Sequence, residues 1–216
     1  MLSFDIETLP LDSSMALPYP DDRDAPANYK SIEAISKWRD LDEAAWEVGR
    51  IKAYSLNPRL GRVCAIGYAD GEASWGETAP QEADEARVIE QFWGFVWTRG
   101  QVCGWNSLGF DLPFLLVRSA LLEVPVPKGI GAYLRRYSYT PHLDCKMALL
   151  NWPSGYPKGE GLSEWAVAFG LQPKSGHGSE VYALAQQGDW GAIGDYAADD
   201  ALLTHGIADR LAGWLA

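Results

Sequence analysis

Apolar and polar positions alternate along residues 2–7, LSFDIE, so that Leu2, Phe4 and Ile6 fall on one side of an extended chain and Ser3, Asp5 and Glu7 on the other. The period predicts a strand with one buried face. The run that follows, TLPLDSSMALPYPDDRDAPANY, is dense in Pro and Asp and predicts a long loop. Ile32, Ile35, Trp38, Leu41, Ala45 and Val48 then recur at helical spacing, which predicts a helix over 31–48. RVCAIGYAD and EASWGE, joined around Gly71, have the pattern of a β-hairpin. PQEADEARVIEQFWGFVWTR opens on Pro and acids and continues as an apolar stripe, a helix over 80–98. QVCGW is a short buried strand. FDLPFLLVRSALL is a helix in which Pro113 is tolerated because it falls in the first turn. Residues 124–141 loosen, and HLDCKMALL, LSEWAVAFG, SEVYALAQQ and WGAIGDYAADDALLTHGIADRLAGWL are helical in pattern beyond the first few positions. Strand, hairpin, helix, strand and then several helices predict a single α/β domain with a mixed central sheet flanked by helices. Within it, residues 9–58 form a loop-plus-helix insertion whose role the pattern leaves open.

Four acids stand out against this pattern. Asp5 and Glu7 share the polar side of the first strand, facing either water or a cleft where they share a metal ion. Asp111 lies at a strand-to-helix junction, a common ligand position in open sheets and equally a place for a first-turn acid that satisfies helix amides. In the last helix the line Tyr196, Asp200, Leu203, Ile207, Leu211 is an inward stripe containing one acid, whereas Asp195, Asp199, Leu202, Gly206 and Arg210 form a solvated line. Asp200 is therefore expected to be the buried acid and Asp199 the exposed one. A buried carboxylate is costly unless it is hydrogen-bonded or binds metal.

Composition narrows the classes. Of 216 residues, 47% are hydrophobic, which excludes a disordered chain. The start lacks a basic, apolar leader pattern, and no apolar run approaches membrane-spanning length, so a soluble, cytoplasmic protein with no membrane partner is expected. Three cysteines without paired spacing predict buried free thiols, not a disulfide framework or a zinc site. The net charge of −11 argues against extended duplex binding. Two local basic stretches remain, RIKAYSLNPRLGR at 50–62 and a second over 118–140, where YLRRYSY interleaves Tyr133, Tyr137 and Tyr139 with Arg135 and Arg136. That stretch fits either base stacking with phosphate attraction or tyrosines packed on the fold. His142 and His177 are expected in loops and not as ligands.

FDIET, NSLGFD and YAADD, in that order, resemble the three motifs of the DEDD 3′–5′ exonucleases, which have an RNase H-like fold. The last is similar to the Tyr-x-x-x-Asp form of the DEDDy subgroup, since Asp195 stands where the His form would carry histidine. Within the subgroup the chain is most similar to the exonuclease domain of family B DNA polymerases and its stand-alone relatives. The likeness is weakest over 9–58, and no polymerase segment follows it, which implies a protein working alone or as a subunit. The resemblance implies a metal-dependent 3′–5′ exonuclease acting on single-stranded nucleic acid with a free 3′ end, DNA by first expectation, and releasing nucleoside 5′-monophosphates. It implies two divalent cations, Mg or Mn, held by Asp5, Glu7, Asp111 and Asp200, with Tyr196 holding the nucleophilic water. Thr8 and Leu9 would line the pocket of the terminal nucleotide, and Asn106 and Phe110 would contact the penultimate one. An RNA 3′ exonuclease of the same subgroup and a non-catalytic nucleic-acid-binding module are the alternatives.

Overall fold

The computed structural model describes residues 1–18, 27–71, 73–150, 161–172 and 178–215. The alternating N-terminal segment is strand β1 (Leu2–Pro10), at the centre of a five-stranded sheet. A short helix α1 (Asp12–Met15) and two helices, α2 (Ile32–Leu41) and α3 (Glu43–Ser55), lead to the hairpin of β2 (Gly61–Asp70) and β3 (Ala73–Thr78). Gly71 turns that hairpin with a φ of 72°. Helix α4 (Glu85–Arg99), strand β4 (Val102–Gly104), helix α5 (Asp111–Leu121), strand β5 (His142–Asp144) and helix α6 (Cys145–Leu149) follow. The chain closes with α7 (Leu162–Ala168), α8 (Val181–Gln187) and the long α9 (Trp190–Leu215). The sheet order is β3-β2-β1-β4-β5; β1, β2 and β3 pair antiparallel, whereas β4 and β5 run parallel to β1. This is the mixed sheet that the pattern predicted.

Alternation along β1 divides the core into two layers. Leu2, Phe4 and Ile6 pack with Val88, Ile89 and Phe92 of α4 and with Leu112 and Leu115 of α5. The Phe4 and Phe92 rings meet edge-on at 4.9 Å. On the other face α9 crosses the sheet. There Leu9 joins Val181, Ile193 and Ala197, and Cys103 and Leu143 join Leu203, Ile207 and Leu211. Two glycines let α9 lie directly on strand backbone. A Cβ at Gly67 would stand 1.9 Å from the Ala197 carbonyl oxygen, and one at Gly76 would stand 2.1 Å from that of Gly194. A buried pair ties the first layer together: Arg118 donates through Nε to Glu85 Oε1 at 2.8 Å and through an η nitrogen to Oε2 at 2.6 Å. Glu85 also accepts from the Val63 amide of β2 at 2.8 Å.

The helix predicted over 31–48 is two helices, broken at Asp42, whose φ of −104° and ψ of 12° leave the helical region. His142 is not a loop residue. It is buried in β5, its Nδ1 lies 2.9 Å from the Tyr133 carbonyl and its Nε2 2.9 Å from Ser107 Oγ. A carbonyl only accepts, so Nδ1 carries the proton and Nε2 accepts from the serine hydroxyl. Burial lowers its pKa to about 4 and keeps the ring neutral. His177 lies outside the described residues. The three cysteines are free and buried, as expected. Among the described residues no helix is long and apolar enough to cross a membrane.

Candidate active site

The polar side of β1 faces α9, and this sets the site. Asp5 is paired with Gly67 of β2, the residue on which Ala197 of α9 rests, so α9 passes close over Asp5 and carries Asp200 one turn further on. Asp5, Glu7 and Asp200 each offer a carboxylate oxygen within 4.8 Å of the others. Asp200 is buried and Asp199 is not, as the two helical lines predicted. The converging donors are all hard oxygens, a set that fits Mg or Mn and does not select zinc. Without a cation, three such carboxylates repel one another.

Tyr196 precedes Asp200 by one turn and bonds its carboxylate through the phenol. Burial raises the phenol pKa, and the charges of Asp200, Glu7 and Asp5 raise it further. The hydroxyl therefore stays protonated at neutral pH and acts as a donor, not as a base.

Asp111 stands beside the group of three. It opens α5 but does not cap it; the cap position is Phe110 and has no side-chain cap bond. Asp111 Oδ1 accepts from the Ile6 amide at 3.2 Å, the backbone link between Asp5 and Glu7. Burial pushes its pKa up to about 7, with Asp144 and Asp200 adding to the rise and backbone amides opposing it. The carboxylate is thus fixed to the strand that carries the other two.

One residue behind this arrangement was missed in the sequence. Asp144, at the end of β5, accepts from the amides of Asn106 at 3.2 Å, Leu108 at 2.8 Å and Met147 at 3.0 Å. It therefore caps α6 and clamps the loop that delivers Phe110 and Asp111. The signal available was an Asp directly before a helical run, HLDCKMALL, which marks a cap but not the loop it also holds. Asp144→Ala leaves two loop amides and one helix amide without that acceptor, and an expected loss of about 3 kcal/mol in stability follows. Urea denaturation measures it; a loss below about 1 kcal/mol would show that water replaces the clamp.

Thr8 and Phe110 line a cavity of about 470 Å³ that also touches Glu7. Leu9 has its side chain in the core with Cys64 and Ala197. The β1–β2 register shifts between Glu7 and Thr8, where Cys64 is passed over. Asn106 holds a left-handed φ of 59°, which asparagine tolerates, and its side chain folds over Gly109, where a Cβ would stand 2.9 Å from Asn106 Oδ1. The basic stretches are partly consumed by structure. Arg62 donates to the Ala79 carbonyl, Arg50 to Glu47 and Met15, and Arg118 to Glu85. Tyr133 packs on the first core layer and Tyr139 on the second. The carbonyl of Tyr133 meets His142, which is level with Leu2 in the sheet, three residues before Asp5. YLRRYSY therefore lies toward the far ends of the strands, and packing accounts for two of its three tyrosines.

Residues 56–211 match the model of a family described as predicted 3′–5′ exonucleases related to the exonuclease domain of PolB. The chain belongs to this family. The match begins after β1, so Asp5 and Glu7 lie before it. Among solved structures the chain is similar to the family B DNA polymerase of the hyperthermophilic archaeon Pyrobaculum calidifontis, with 21% identity and a TM-score of 0.60. The alignment covers 97% of this chain but only 24% of the polymerase, and at that identity it shows a shared fold alone. No curated protein matches the chain.

Proposed function

We propose that this family member is a divalent-metal-dependent 3′–5′ exonuclease that removes nucleoside 5′-monophosphates from the 3′ end of single-stranded nucleic acid, with DNA as the substrate. The observation that carries the reading is the gathering of Asp5, Glu7 and Asp200, from opposite ends of the chain, to within 4.8 Å. Asp5, Glu7 and Asp200 hold the cations, and Asp111 supports them from the Ile6 amide. When bound, two Mg or Mn ions supply activation of the attacking water and stabilisation of the leaving 3′-oxygen. The chain's own contribution is orientation. Asp5, Glu7 and Asp200 each turn one oxygen into the same small volume, where the cations would be held. The protonated Tyr196 hydroxyl holds the attacking water and aligns it. Thr8 and Phe110 meet the end of the strand in the cavity beside Glu7. Leu9 acts from the core by fixing the backbone next to Thr8, and Asn106 holds the loop that brings Phe110 to the penultimate nucleotide.

A time course on a single strand labelled at either end, with Mn, tests the reading. A 5′-labelled strand should shorten in one-nucleotide steps while a 3′-labelled strand releases a labelled mononucleotide at once. Release of oligonucleotides, or shortening from the 5′ end, would overturn the polarity. A matched ribo-oligonucleotide in the same assay separates the DNA from the RNA enzyme. Metal-independent binding with no product would identify a binding module.

A further inference from the structure

The 470 Å³ cavity beside Glu7 has a wall from outside the family match. Helix α3 ends at Ser55, one residue before the match begins at 56, and it faces the cavity through Val48, Ile51, Lys52 and Ser55. Those positions follow the i, i+3, i+4, i+7 spacing of a single helix face. Glu7 and Thr8 of β1, Phe110, and Val181 and Tyr182 of α8 also line it. The volume is in the range of small-molecule pockets.

Two features of this wall have no structural use among the described residues. Val48 is 62% exposed and Leu56, just past the helix, is 49% exposed, so the wall shows apolar side chains to water. Lys52 is exposed and makes no hydrogen bond or ion pair among the described residues, while Arg50 two positions away is engaged by Glu47 and the Met15 carbonyl. Lys52 is also the cavity's only cationic side chain among the described residues. The lining thus combines the Glu7 carboxylate, an ammonium with no partner among the described residues, and apolar side chains. A nucleotide has the matching parts: a phosphate for the metal, a flat apolar base for the apolar side chains, and oxygen and nitrogen acceptors on the base edge.

Resting on the exonuclease reading, we propose that α3 is the wall of the terminal-nucleotide site, with the base lodged against Val48, Ile51 and Phe110 and Lys52 donating to its acceptors. The 9–58 insertion then supplies substrate selection to a site whose carboxylates lie elsewhere. Lys52 is a binding residue, and its loss acts on KM and not on the hydrolytic step.

The test uses the full chain, the exposed-residue variants Lys52→Ala and Val48→Asp, and Mn. Calorimetry is run with deoxynucleoside 5′-monophosphate, with the unphosphorylated nucleoside and with inorganic phosphate. KM and kcat are measured on a 5′-labelled single strand. The expected result is monophosphate binding about tenfold weaker in Lys52→Ala, the size of one lost charge-assisted hydrogen bond, and about tenfold weaker in Val48→Asp, which puts a charge against the apolar base. Inorganic phosphate should bind all three proteins alike, and KM should rise about tenfold with kcat held within about twofold. Equal monophosphate binding and equal KM in the three proteins would overturn the α3 wall and leave the exonuclease reading standing. Monophosphate binding that depends on α3 in a protein that cleaves nothing would do the reverse. A protein that neither cleaves nor binds the monophosphate loses both. Unchanged melting of the two variants separates these results from misfolding.

Discussion

Asp5→Ala and Asp200→Ala should each reduce release of mononucleotides by about a thousandfold or more, the scale on which removal of an essential catalytic group registers. Tyr196→Phe should cost only about tenfold to a hundredfold, because it removes one hydrogen bond to the water. The difference follows from position. Asp5 lies on β1 and Asp200 on α9, and each contributes an oxygen to the same small volume. Removing either leaves too few ligands to hold cations and forfeits the chemistry they supply. The phenol is raised in pKa by burial and by three neighbouring carboxylates, so it contributes no base at neutral pH, only a donor. A second readout is independent of turnover. The wild-type protein should melt higher with Mn than with chelator, because cation binding relieves the repulsion among the carboxylates. Asp200→Ala should lose that increment and, in chelator, melt at or above the wild type. If Tyr196→Phe proves as inactive as Asp5→Ala, the assigned roles are wrong. If Asp200→Ala keeps the Mn increment, that carboxylate is not a ligand.

Local periodicity carried much of the architecture. The two-residue period of LSFDIE placed Asp5 and Glu7 on one face, and the four-residue spacing in YAADD distinguished Asp200 from Asp199, because side-chain direction within a strand or helix is set by backbone geometry alone. What failed depended on partners distant in sequence. Arg62 and Arg118 count as basic surface in the sequence, yet both are buried and spent on carbonyls and on Glu85. His142 follows a proline in a loose stretch, and only its pairing with Val102 makes it a strand. Asp144 showed a cap signal, but its two loop amides come from residues nearly forty positions earlier. The break at Asp42 divides a stretch whose apolar spacing continues across it, so periodicity gave one helix where the backbone makes two.

Gly67→Ala should be among the most damaging single-methyl changes in the protein, although Gly67 bears no chemistry. Its Cβ would lie 1.9 Å from the Ala197 carbonyl oxygen and 2.6 Å from the Ala198 amide, where ordinary contact begins at 3.4 Å. Neither neighbour is a flexible side-chain tip; both are backbone of α9, so the helix itself must move. Ala197 lies between Tyr196 and Asp200, and Gly67 is the β2 partner of Asp5, so any lift of α9 here opens the gap between the carboxylates directly. Displacement of about 1 Å in a catalytic group is worth roughly a hundredfold in rate, and overpacking costs about 1–3 kcal/mol or more. Turnover should therefore fall by about a hundredfold or more and the urea midpoint should drop. The Mn-induced rise in melting temperature should shrink while the far-ultraviolet circular dichroism stays native-like, which distinguishes a displaced helix from an unfolded chain. Gly94→Ala is the matched control: an exposed helical glycine with nothing within 4 Å of its added methyl, expected to be neutral or stabilising by up to about 1 kcal/mol. Wild-type turnover and an unchanged Mn increment in Gly67→Ala would mean that the spacing between α9 and β2 does not set the separation of Asp5 from Asp200.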